Sequence, residues 1–315
     1  MNYVTRRLLS AIPTLFMVSL ILFGLVQLAP GSAASLYAGP DAGPEDLARI
    51  EKLLGVDQPP PVQYVKWLRG VLGGEWGISF RYQQPVTEVL RSRMFYTIEL
   101  MAMALFIALI VAVPFGVISA ISKRKWVKHS SSILAMLGIS IPTFWLGIML
   151  LLIFSVRLRW LPSGGAATIG MDFNLKDRFL HLIGPAMVLA TLYIAGWSRY
   201  VRSSMQDVMT QDYIRTARAK GLKEDSVITQ HALRNSLLPL VTLIGLQGGS
   251  LIGGAMITEV VFAWPGVGRL LAESLTSRDY PVLMAAFMVM AVLTVAGNLL
   301  ADLTYGWVDP RIKLE

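Results

Sequence analysis

Residues Gln211–Pro239 read QDYIRTARAKGLKEDSVITQHALRNSLLP, a polar interval set between two long apolar runs. The surrounding chain is built for lipid, so an organised polar segment of this length needs a structural task. In helical register Tyr213, Ile214, Ala217 and Gly221 fall on one face about 100° wide, with Arg215 and Arg218 off it. Past Gly221, the residues Val227, Ile228 and Ala232 form a second apolar stripe at the same spacing. The pattern predicts two short amphipathic helices hinged at a glycine, a knob that a soluble partner can grip. The competing reading is an amphipathic hairpin lying on the inner leaflet.

Working outward, the 315 residues are 54% hydrophobic and 15% charged, with mean hydropathy +0.57. That lies outside the range of soluble domains. Charge-free runs long enough to cross a bilayer are expected at Leu8–Leu28, Leu100–Ile121, Ile133–Val156, Leu182–Trp197, Leu237–Thr258 and Val282–Ala301. The fourth is the shortest and borrows from Ser198 onward. An all-α integral membrane protein with six transmembrane helices follows. Six spans place both termini on one side, and the basic residues choose which. With the N-terminus cytoplasmic, inner segments carry fifteen Lys and Arg against six in the short outer loops. The net charge of +8 is therefore mostly topology, and nucleic acid is not an expected partner. The partner of most of the surface is the lipid bilayer.

Four parts are expected: an N-terminal transmembrane helix (1–29), an extracytoplasmic cap segment (30–94), a membrane domain (95–306) holding the polar interval, and a cytoplasmic tail (307–315). The cap opens with a flexible Pro-Gly-Ala-Ser stretch, Pro30–Pro44, then shows helical patterns at Glu45–Leu54 and Gln63–Leu72 around the triple proline Pro59–Pro61. Its 65 residues are too few for an independent core, so it should pack on the membrane domain. The hairpin Ser122–Ser132 reads as a basic orientation anchor. Pro114, Pro142 and Pro239 are expected to interrupt helices. Gly245, Gly248, Gly249, Gly253 and Gly254 crowd the fifth span, and Gly249-x-x-x-Gly253 permits close helix approach. Asn298 and Asp302 share a face near the inner end of the sixth.

Several chemistries are missing. No expected span carries an acid or base at mid-depth, where ion-coupled transporters place them. His129, His181 and His231 lie far apart with no metal-ligand spacing, and there is no cysteine. No Gly-Lys dipeptide occurs, so the phosphate-binding loop G-x-x-x-x-G-K-[ST] cannot form. The reading is a non-enzymatic membrane half of a machine powered elsewhere, with no cofactor of its own and no catalytic or metal residues. The path residues stay unassigned.

At RTARAKG (Arg215–Gly221), followed by HALRNSLLP (His231–Pro239), the chain resembles the coupling loop of ABC-importer permeases. It is most similar to the first, B-type membrane subunit of the dipeptide/oligopeptide/nickel group. The general loop begins Glu-Ala-Ala-x-x-x-Gly. Here Arg215 and Thr216 occupy the first two places, Ala217 and Gly221 match, and the gap to Leu238-Pro239 is longer. EVVFAWPGVGRLL (Glu259–Leu271), RDYPV (Arg278–Val282) and NLLADLTYGWVDPRI (Asn298–Ile312) resemble the group in order and spacing. So do RRLLSAIPTLF (Arg6–Phe16), LGVDQPPPVQYVKWL (Leu54–Leu68) and WGISF (Trp76–Phe80). Ser32-Ala33 and Glu75-Trp76 depart from the usual pattern.

The resemblance implies a type-1 ABC importer transmembrane fold in the plasma (inner) membrane of a prokaryote. It implies a second homologous permease subunit as heterodimer partner, two ABC ATPase subunits holding ATP and Mg, and an extracytoplasmic solute-binding protein. On the matched positions, Tyr213, Arg215, Ala217, Arg218, Lys220 and Gly221 couple to an ATPase cleft. The implied cargo is a short peptide; glutathione, a nickel chelate or another small peptide-like solute is the alternative. An ion-coupled secondary transporter is the reading from a different class.

Overall fold

The computed structural model describes residues 3–28, 43–247 and 255–308, and among these the fold is all-helical apart from one isolated bridge between Ile78 and Pro85. After α1 (Tyr3–Leu28), two short helices follow in the cap, α2 (Pro44–Leu54) and α3 (Pro60–Gly73), close to their expected places. The centre of the molecule is the pair α4 (Val86–Ile121) and α7 (Leu175–Met209). At about 1.5 Å per residue each is roughly 50 Å long, well beyond the about 30 Å of bilayer hydrocarbon. Both therefore project past the lipid. Residues 86–95, expected in the outer loop, are the first turns of α4, and the expected boundary at 94/95 falls inside that helix. Val86, Val89 and Leu90 explain this: they are buried against Val267, Leu270 and Leu271 of α12 (Val267–Ser277) and Val282, Leu283, Ala285 and Ala286 of α13 (Tyr280–Val308).

Helices α4 and α7 run in the same direction. Glu99 meets Arg178 near their starts, and Gly116 meets Val201 near their ends. Their seam on α4 is Ala104, Ala108, Ala112 and Gly116, one small residue per turn. A Cβ added at Gly116 would lie 2.7 Å from the Val201 Cβ and 2.8 Å from the Ser198 carbonyl oxygen. Leu182, Ala186, Leu189, Ala190, Trp197 and Val201 fill the facing side. The opposite face of α4 exposes Phe95, Ile98, Phe106, Ile110 and Ile118. Small residues inward and large apolar ones outward is the arrangement of a helix packed in lipid, where close backbone approach holds neighbours together.

Proline positions do not all behave as expected. Helix α4 continues through Pro114, and α7 continues through Pro185. At Pro142 the chain breaks: α5 (Lys125–Ser140) and α6 (Thr143–Arg157, its second half a π-helix) are bent by 97°. Ile141 is extended there, the conformation that a following proline favours. Pro114 lies instead between Ala112 and Gly116, both locked in the seam, and packing holds the helix together. The expected basic hairpin shrinks to Ser122–Arg124, because α5 begins at Lys125.

Among the described residues, four helices can cross a bilayer by length and composition (α1, α4, α7 and α13), or five if α5 and α6 form one bent span. The expected fifth span is represented by α10 (Leu238–Gln247) and α11 (Met256–Val261), with Pro239 in the first turn of α10 rather than interrupting it. Gly248, Gly249, Gly253 and Gly254 lie outside the described residues, as do 29–42, which hold Ser32-Ala33, and 309–315. The side chain of Asp302 lies outside the described residues as well. Helix α3 packs on α1 through a 2.7 Å bond between the Ser19 and Tyr64 hydroxyls and an edge-to-face contact of Phe23 with Tyr64.

Candidate functional site

The polar interval folds into an elbow at the ends of α4 and α7. Helix α7 stops at Met209, Gln211 turns extended, and α8 (Asp212–Ala219) starts in a new direction. Asp212 in its first turn and Arg218 in its last complement the helix dipole. The chain then reverses at Gly221, whose φ of +77° is left-handed, and the amides of Gly221 and Leu222 donate to the carbonyls of Arg218 and Ala217 at 2.9 and 3.4 Å. A second helical piece, α9 (residues 224–236), runs through a π-helical stretch, Val227–Ala232.

Ile214 and Ala217 of α8 and Val227 and Ala232 of α9 are buried around Met205, with Val117, Ala120, Val208, Met209 and Ile228 beside them. Fully burying an aliphatic side chain contributes about 1.5–3 kcal/mol. The elbow is therefore packed onto the ends of both long helices. The Asn235 amide donates to the Tyr213 hydroxyl at 3.2 Å, joining α9 to α8. Across the Gly221 turn the Arg218 guanidinium grips Glu224 with two bonds, Nε to Oε2 at 3.1 Å and Nη2 to Oε1 at 2.7 Å. That fork, helped by the charge of Lys123 in the neighbouring loop, holds the Glu224 carboxyl below its ordinary pKa. The same bond raises the Arg218 pKa further above its already high value.

The six expected residues thus divide. Tyr213, Arg215 and Lys220 face solvent, Tyr213 with 43% of its surface exposed. Gly221 is also exposed, and a Cβ there would meet nothing within 4 Å, so its requirement is conformational. Ala217 faces inward at 6% exposure, not toward a partner as expected, because Met205, Val227 and Ala232 occupy its side. Arg218 is engaged within the chain. Sequence reasoning missed Leu222, exposed at 42% at the tip, and Glu224, whose helix-start position beyond a glycine was the available signal.

At the other end of the bundle, EVVFAWPGVGRLL forms a bracket onto α4. Glu259 is fully buried and accepts from the Thr97 hydroxyl at 2.7 Å and the Arg269 amide at 2.9 Å. Gly266 is needed there because a Cβ would sit 2.1 Å from the Glu259 carboxylate. The Arg178 guanidinium forms a fork with Glu99 between the rings of Tyr96 and Trp264, at 4.6 and 4.7 Å from their centroids. Asp279 of RDYPV accepts from Ser79 and from the Phe80 and Arg81 amides, tying WGISF down. Among the described residues no group of three or more His, Asp and Glu could hold a metal ion.

Residues 112–314 match the family described as "Binding-protein-dependent transport system inner membrane component", and residues 1–101 match its N-terminal companion. The chain is 44% identical to the "Oligopeptide transport system permease protein AppB" of Bacillus subtilis (strain 168), over 99% of each. It is 40% identical, over the full length of both, to the "Glutathione transport system permease protein GsiC" of Salmonella paratyphi A. A solved structure described as "Inward facing conformations of the MetNI methionine ABC transporter: CY5 native crystal form" aligns with a TM-score of 0.58 at 15% identity, over 71% of this chain and 97% of that one. At that identity the likeness is one of fold.

Proposed function

Since the chain belongs to the family of binding-protein-dependent transport system inner membrane components, and within it to the peptide group of ABC-importer permeases, we propose that it is a passive gate for short peptides, moved through its elbow by a separate ATPase. It is a multi-pass protein of a prokaryotic inner membrane. In this reading it has six spans with both termini cytoplasmic, so that the elbow faces the cytosol. It pairs with a second, homologous permease, and two ATPase subunits carry ATP and Mg while an extracytoplasmic binding protein delivers cargo. The chain itself catalyses nothing. Glutathione or a nickel chelate is the alternative cargo, the first supported by the relative named for glutathione.

The observation that carries this reading is the two-sided elbow. One side is buried against the ends of α4 and α7; the other offers Tyr213, Arg215, Lys220 and Leu222 to solvent. Arg215 and Lys220 can pair with acids on an ATPase, and Tyr213 and Leu222 can enter an apolar cleft. ATP-driven closure of the ATPases then draws the elbows together and reorients the long helices. The test is recovery of the ATPase with Arg215→Glu/Lys220→Glu. Arg215 makes an exposed 3.5 Å contact to Asp212, a pair worth little in water, so membrane levels should stay normal while co-purified ATPase falls by about tenfold or more. Wild-type recovery would remove this face from the interface.

A further inference from the structure

Between α4, α5 and α7, on the elbow side of the bundle, lies a cavity of about 680 Å³. That is within the range of small-molecule sites. Its lining joins the apolar Phe115, Ala135, Met136 and Ile139 to a set of polar side chains. Arg199, Arg202 and Gln206, at helical spacing on α7, share one wall; Ser119 of α4 and Ser131 and Ser140 of α5 contribute hydroxyls. Arg202 Nη1 donates to the Ser131 hydroxyl at 3.3 Å, which ties the two walls together. Among the described lining residues none is acidic. Elsewhere α5 exposes Ile133, Leu134 and Leu137, the expected dress of a lipid-facing helix.

A second observation points the same way. Ser140 is the last residue of α5, so the cavity reaches the break at Ile141-Pro142 where α5 and α6 turn by 97°. A break leaves carbonyls of one helix and amides of the next without intrahelical partners. Inside a membrane such backbone is tolerated only where protein covers it or where it lines water. In secondary transporters, broken helices beside polar cavities hold the solute, and the same backbone chemistry is available here. Two guanidinium groups with adjacent hydroxyls, at the rim of a low-dielectric region, favour a planar oxyanion that can accept forked, charge-assisted bonds.

We infer that this cavity is a carboxylate-receiving subsite on the inner half of the path, where Arg199 and Arg202 take the C-terminal carboxylate of a peptide on its way to the cytosol. The inference rests on the peptide reading above and adds to it the group that is recognised. A phospholipid phosphate shares the oxyanion chemistry, and the break at Pro142 favours the solute.

The experiment uses the assembled importer in liposomes with its ATPases and binding protein. The probe is a library of short peptides, each prepared as free acid and as C-terminal amide, with uptake read as the acid-to-amide ratio. One pair of charge-assisted bonds is worth about tenfold. Arg199→Gln/Arg202→Gln should lower the wild-type ratio by roughly that factor, a ratio that cancels any common change in assembly or turnover. Arg199→Lys/Arg202→Lys should restore most of it. If the double Gln variant is not recovered, the single Gln variants should each lower the ratio. An unchanged ratio overturns the inference while leaving the peptide reading intact. A wild type that imports no peptide sinks both. An unchanged ratio combined with a lost response to added phosphatidylglycerol assigns the cavity to lipid and also overturns it.

Discussion

Arg218 is exposed on the elbow and also has a partner within its own chain. Its place in RTARAKG marks it as a partner contact, yet its fork to Glu224 closes the elbow from within. The expected consequence is specific. Arg218→Glu should loosen the elbow and weaken ATPase recovery, and Arg218→Glu/Glu224→Arg should restore it, because the exchanged pair can re-form across the Gly221 turn. Recovery that stays low in the double variant would return Arg218 to the interface. The pH dependence has a definite sign. Glu224 has a depressed folded-state pKa, so its contribution is fully present above the unfolded carboxylate value of about 4.3 and is lost as pH falls through the lower folded value. The elbow should therefore hold its shape throughout the neutral range. Ala217 carries a related lesson: a small residue at a motif position suggests close approach, and its neighbours here are Met205 and Val227 of the same chain. Sequence spacing put Ile214 and Ala217 on one face correctly, but it does not say whether that face looks inward or outward.

At the scale of elements, apolar runs located the helices, and packing set their ends. The run Leu100–Ile121 was legible, while the four turns before it were hidden by Glu88, Arg91, Arg93 and Glu99, which remain helical because Val86, Val89 and Leu90 are buried on α12 and α13. The four-residue spacing of Ala104, Ala108, Ala112 and Gly116 is present in the sequence, but alanines at helical spacing are a weaker packing signal than the glycines of the fifth span. That seam makes a measurable prediction. Ala is normally the better helix former than Gly by about 1 kcal/mol. Gly24→Ala in α1, with nothing within 4 Å of the new Cβ, should leave thermal stability in detergent unchanged or slightly raised. Gly116→Ala must displace Val201 or the backbone at Ser198 and should lower stability by about 1–3 kcal/mol. Equal behaviour of the two variants would contradict the seam.

Considered whole, the molecule is a lipid-clad helical body with rigid fittings at each end. At one end the Glu259, Arg178 and Asp279 clusters lock the cap and the α11–α12 turn onto α4 and α7. At the other, the elbow is fixed to the same two helices. In the proposed gate, a force applied at the elbow acts on the long helices that carry the cap-end clusters, as rigid-body switching requires. The class of this architecture was legible from hydropathy and from the elbow motif. The cavity beside Pro142 was not, because Ser131, Ser140, Arg199 and Arg202 come together only through the bend between α5 and α6. The most direct test of the gate is solute accumulation in sealed liposomes, with this permease and its permease partner present and the ATPases either included or omitted. The account predicts concentrative uptake only with the ATPases and ATP, and none driven by a proton or sodium gradient. Accumulation by the permeases alone under an ion gradient would contradict it.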